Sequence, residues 1–157
     1  RTSVQTVVLA DYARRYFARV AKRCSSHLTM DVETEDLVMT GDEILLKYML
    51  ENLIDESIAF VGDGSIGLRI YKEGAFVRFD YIDNRRQLSQ EELELLFTPR
   101  LEEIRQTGER TLAGVEYLIC KQIVREHDEF AGRRGCRMNA ETCKDGGFMV
   151  WYTIPAR

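Results

Sequence analysis

The sequence predicts an α+β fold: a two-layer sandwich with helices on one face of a mixed, mostly antiparallel sheet. Three observations carry this. Strand and helix patterns are interleaved, neither strictly alternating nor segregated, which suits a mixed sheet with helices packed on one face. Two turn signatures, Lys72-Glu73-Gly74-Ala75 and Lys144-Asp145-Gly146-Gly147, each join two strand-like runs and require antiparallel pairs. Apolar residues recur at helical spacing in segments long enough to cover such a sheet.

Each element follows from local chemistry. Gln5 to Leu9 reads as a short strand, and Asp11 can cap the helix after it. That helix repeats Leu9, Tyr12/Ala13, Tyr16/Phe17 and Val20 on one side. Its other side carries Arg14, Arg15, Arg19, Lys22 and Arg23, read as a solvated face, with docking of an acidic partner as the second option. Leu28 to Val32 alternates like a strand. Thr40 and Glu43 have capping-box spacing, with Asp42 as the other candidate cap of a helix running to about Phe60. Leu46, Met49/Leu50, Leu53 and Ile58 form its core stripe, and Asn52 and Glu56 share a face one turn apart.

A Gly-rich turn, Val61 to Gly67, precedes two strands, Leu68 to Tyr71 and Phe76 to Ile82. Ser89 and Glu92 have capping-box spacing for a short helix that Thr98-Pro99 ends. Arg100 to Arg110 is charged and lacks core periodicity, which predicts a surface segment. Leu112 to Glu126 is apolar nearly all round and predicts a mostly buried helix. Strands Cys136 to Thr142 and Phe148 to Ile154 close the chain, and Tyr117, Phe97 and Trp151 are expected as core aromatics.

Composition narrows the function. The 157 residues fit one domain, and the chain, starting at Arg1, is expected to be a piece of a longer protein. Net charge is -4 and pI about 5.3, so nucleic acid has no electrostatic draw here. No apolar run approaches a membrane-helix length, so the segment is not expected to be membrane-embedded. Cys24, Cys120, Cys136 and Cys143 form no CxxC pair, and reduced thiols in a cytoplasmic domain are favoured over a Cys136–Cys143 bridge. His27 and His127 have no ligand or triad partner at useful spacing and are expected at the surface or an edge.

Four segments, in order, resemble the ATP-binding domain of sensor histidine kinases, a member of the GHKL ATPase superfamily. GDEILLKYMLENLIDESI (41–58) is similar to the asparagine-box helix, and FVRFDYIDNRRQL (76–88) to the strand entering the first glycine box. LLFTPR (95–100) is similar to the phenylalanine-containing segment that follows, and AGVEYLICKQIVREH (113–127) to the second glycine box and its helix. The closing GGFMVWYTIP resembles the last strand. The resemblance spans nearly the whole chain and implies the histidine-kinase ATPase (Bergerat-like) fold.

It also implies candidate nucleotide-binding positions. Asn52 falls on the first asparagine of the asparagine box, and Glu56 on the second, which in the family holds magnesium. Asp83 falls on the aspartate that pairs with the adenine amino group. Arg85 and Gln87 fall on glycines of the first glycine box. Gly114 is the one glycine kept in the second, where Leu112 and Glu116 stand at the others. Carboxylates can ligate magnesium, so Asn52 and Glu56 are the candidate metal positions. A fixed negative charge beside a triphosphate nonetheless repels it. A side chain at a glycine position costs about 1–2 kcal/mol in left-handed geometry and fills space.

Residue by residue, plainer readings stand beside these. Asp83 as a strand-ending polar residue is favoured over Asp83 as a purine holder. Asn52 and Glu56 can be a solvated helix face. Arg85 and Arg86 are charged loop residues, fillers of the old cavity, or ligands of an anion other than ATP. The sum favours a degenerate, non-catalytic regulatory or protein-interaction module in bacterial signal transduction. It would have no catalytic residue and no cofactor, and its partners would be neighbouring domains of the same chain or a signalling protein. The alternative is a divergent, active Mg-ATP-binding kinase domain whose phosphoacceptor histidine lies elsewhere, since neither His27 nor His127 sits in such a helix.

Overall fold

The computed structural model describes residues 2–103, 110–113, 115–130, 132 and 135–157. The elements run β1 (Thr2–Gln5), α1 (Thr6–Val20), β2 (Leu28–Thr34), β3 (Val38–Gly41), α2 (Glu43–Ala59), β4 (Gly64–Glu73) and β5 (Phe76–Asp83). They continue as α3 (Gln90–Leu95), β6 (Arg100–Glu103), β7 (Arg110–Ala113), α4 (Val115–Phe130), β8 (Met138–Thr142) and β9 (Phe148–Pro155). The main sheet has the order β2-β4-β5-β9-β8, parallel only between β2 and β4, so it is mixed and mostly antiparallel. Two small antiparallel pairs, β1–β3 and β6–β7, flank it.

Strand alternation builds the core. Residues directly opposite across the ladder share a face. Ile70, Phe79, Tyr152 and Met138 form one such row, and Leu68, Tyr81 and Val150 the next, all buried. Phe79 and Tyr152 stack at 4.7 Å. Buried residues of α1, α2 and α4 close over this face in a single cluster. The third row, Ile66, Asp83 and Phe148, places a carboxylate on the core side of the sheet.

Several sequence expectations are corrected. Thr6 to Leu9 is helix, not strand. Thr6 is fully buried and its Oγ1 donates to the Glu35 carbonyl and accepts from the Leu37 N–H, anchoring the first turn and overriding the strand preference of its β-branched run. Asp11 therefore lies inside α1 and pairs with Arg14 rather than capping. Asp42 caps α2 through its Oδ1, and Thr40 belongs to β3. The charged segment after Pro99 contains two strands, and its residues 104–109 lie outside the described residues. The α4 helix starts at Val115 and is amphipathic. Tyr117, Cys120, Ile123, Val124 and His127 face inward, whereas Leu118 and Ile119 are 42% and 40% exposed. Trp151 lies on the outer sheet face, half-buried, 4.5 Å from the Arg78 guanidinium. The cysteines are free, and the capping box at Ser89 is present.

His127 is fully buried rather than superficial. Its Nδ1 lies 2.8 Å from the Ile123 carbonyl, and its Nε2 accepts from the Asp42 N–H at 3.2 Å. The ring presses on Gly41, where a Cβ would sit 2.9 Å from it, so β3 needs glycine there. Burial disfavours the imidazolium and pulls the pKa below the ordinary 6.5, against the opposing pull of the Ile123 carbonyl. The unfolded chain thus takes up this proton at a higher pH than the folded chain. Stability is expected to fall as pH drops below about 6.5. Urea midpoints measured from pH 7.5 to 5.5 check this, and a His127→Gln variant should lose that part of the slope.

Candidate functional site

The site forms where the end of β5 meets the C-terminal end of α2. Asp83 closes β5 with 1% of its surface exposed, directed at the core by strand alternation. Two residues on, Arg85 turns back onto it. Asp83 Oδ1 accepts from the Arg85 backbone N–H and from Arg85 Nε, each at 3.0 Å, and Oδ2 accepts from Nη2 at 2.8 Å. A carboxylate has about four lone-pair sites, so these three donors fill most of it. Burial raises the Asp83 pKa, but the Arg85 hydrogen bonds and charge outweigh it and hold the carboxyl below its ordinary range.

Arg85 does more than neutralise Asp83. Nη1 donates to the carbonyls of Phe60 and Gly62 at 2.9 Å each, and Nη2 to that of Ser57 at 2.6 Å. Ser57 and Phe60 stand at the C-terminal end of α2, where a cation is favoured, and Gly62 in the loop after it. The side chain is 3% exposed. Gly64 makes room for it, since a Cβ there would lie 2.5 Å from Arg85 Cγ. Arg86 packs between the rings of Phe60 and Phe148.

Between α2 and α4 runs a slit lined by Asn52, Glu56, Glu116, Tyr117 and Cys120. Its free volume is about 0 Å3, against the roughly 300–1,000 Å3 of ordinary ligand sites. Asn52 Nδ2 donates to Cys120 Sγ at 3.7 Å. Burial pushes the Cys120 thiol up to about 11, so it stays protonated at neutral pH. Glu56 and Glu116 both face this slit, which makes it acidic. Among the described residues no cluster has the make-up of a metal site.

The structure therefore brings Asp83 and Arg85 together as one buried pair and sets Asn52 and Glu56 together on the slit. Gly114 lies outside the described residues. Sequence reasoning missed Ser57, Phe60, Gly62 and Gly64 as the seat of the Arg85 guanidinium. The available signal was a helix end followed by two glycines, a natural seat for a cation.

The chain is similar to solved structures of sensor kinases. It matches the mycobacterial sensor histidine kinase MprB at 20% identity and TM-score 0.72, covering 99% of this chain and 97% of that one. It matches the nucleotide-free catalytic domain of histidine kinase ThkA at 21% and 0.74, covering 98% and 94%. The ThkA complex with the response regulator TrrA matches at 19% and 0.71, covering 99% of this chain and 42% of that one. At such identities these likenesses speak to the fold. No curated protein sequence matches the chain. Residues 41–157, well over half of the chain, match the family model for histidine kinase-, DNA gyrase B- and HSP90-like ATPases, and the chain belongs to that family.

Proposed function

We propose that this is a non-catalytic histidine-kinase ATPase-like domain, a regulatory and protein-interaction module in bacterial signal transduction that works without bound nucleotide. The observation that carries the reading is the buried Arg85–Asp83 pair. The family aspartate receives an amino donor from adenine, whereas here that position already receives three N–H donors from Arg85. Seating a base means expelling a guanidinium from five hydrogen-bond acceptors of its own chain. Glu56 and Glu116 add negative charge where phosphates and magnesium would come. Its partners would be neighbouring domains or a signalling protein, as the response-regulator complex of ThkA suggests by analogy.

A second reading, a divergent active kinase domain using Mg-ATP, is favoured by Asn52 and Asp83 standing at the family positions. Calorimetry with Mg-ATP separates the two. No binding at micromolar concentrations is expected, and limited proteolysis across 100–113 should be unchanged by nucleotide. Micromolar binding that Asp83→Asn abolishes would overturn the proposal in favour of the second reading.

A further inference from the structure

A second cleft, of about 300 Å3, lies between α4 and the β8–β9 pair and shares no residue with the Asp83–Arg85 cluster or the acidic slit. That volume falls at the lower end of small-ligand sites. Lys121 and Arg125 are four residues apart on α4 and stack one turn apart on its surface. β8 is the edge strand of the sheet, and Arg137 and Asn139, on the opposite face from Met138, border the cleft around that edge. Met138 and Val124 are buried and give the cleft an apolar floor. Trp151, opposite Asn139 in β9, gives it an aromatic wall.

The charge here is one-sided. Among the described residues no carboxylate pairs with Lys121, Arg125 or Arg137. Lys121 rests over the Phe97 ring at 4.7 Å, and the nearby Asp128 carboxylate is turned to the Cys136 N–H at 2.8 Å. Three cations thus border one cleft in a chain of net charge -4. The Asn139 Oδ1 accepts from the Ala140 N–H at 2.9 Å, which leaves its amide N–H groups as donors.

We propose that this cleft binds a phosphate dianion, either free or as the monoester of a flat organic group. One carboxylate would neutralise a single cation. A phosphate presents three acceptor oxygens and a charge of about −1.5 to −2, which suits two guanidinium forks and an ammonium. The floor and Trp151 offer apolar surface for an organic part, by the ring edge or the face that Arg78 leaves open. The proposal goes beyond the reading of the nucleotide site and uses none of its residues.

Calorimetry of the whole chain with inorganic phosphate and with phenyl phosphate tests it. Neither probe carries an adenine, so Asp83 has nothing to recognise. Binding is expected to weaken as salt rises. In Arg125→Gln/Arg137→Gln it should fall about tenfold or more, with the urea midpoint unchanged. Tighter binding of phenyl phosphate, lost in Trp151→Leu, identifies a monoester ligand. Equal affinity for both probes identifies free phosphate. No heat from either probe, or undiminished binding in the double arginine variant, overturns the proposal.

Discussion

Arg85→Ala is expected to destabilise the chain by about 3–5 kcal/mol, the usual cost of leaving a buried charge without its partner. Three losses combine. Asp83, 1% exposed, would keep a carboxylate with no counter-ion. The carbonyls of Phe60 and Gly62 would lose their Arg85 donor, and that of Ser57 one of its two donors. The space beside Gly64 would empty. Equilibrium urea unfolding measures this, and a loss below about 1 kcal/mol would mean the pair behaves as a surface ion pair instead. Replacing both partners with leucine removes the uncompensated charge and should recover part of the loss. The pair should also show in acid. Because the folded Asp83 pKa lies below the ordinary 3.8, its contribution is present above that pH and is lost as pH falls through the folded value. In Arg85→Ala burial alone acts on Asp83 and raises its pKa, so the stability gap to the parent chain should narrow as pH falls below the ordinary 3.8.

The sheet and its helices were legible because their signals are periodic. Phe76 to Ile82 and Phe148 to Ile154 alternate, and both fall within the two central strands. Local chemistry was legible where it stays local, as in the Ser89 capping box. Failures occurred where a distant residue decides. The start of α1 depends on a Thr6 bond to a carbonyl 29 residues away. His127 looks superficial in sequence because its acceptor role is completed by the Asp42 N–H, 85 residues away. The pattern around Leu118 and Ile119 told how apolar α4 is, but not which side the sheet would cover. At the site, family spacing located Asp83, Arg85, Asn52 and Glu56. It did not tell whether Arg85 would point outward or inward, since that depends on carbonyls of a helix end 25–28 residues earlier.

Removing the plug should reopen the cradle. A variant carrying Arg85→Gly, Gln87→Gly, Glu56→Asn and Glu116→Gly is expected to bind Mg-ATP in calorimetry where the parent chain does not. Arg85→Gly frees the Asp83 oxygens for a base amino group and empties the space beside Ser57 and Gly64. Gln87→Gly restores backbone freedom to the turn. The two glutamate changes remove negative charge from the slit, where it would repel a triphosphate. The variant starts from a deficit, because it loses the same ion pair as Arg85→Ala. That deficit makes the test sensitive: a ligand at 100 times its Kd restores about 2.7 kcal/mol, so its urea midpoint should climb steeply with Mg-ATP while that of the parent stays still. Should the quadruple variant fold and remain indifferent to nucleotide, the inability would lie outside these four positions, and the Arg85–Asp83 pair would be a structural clasp with no bearing on what the cavity can hold.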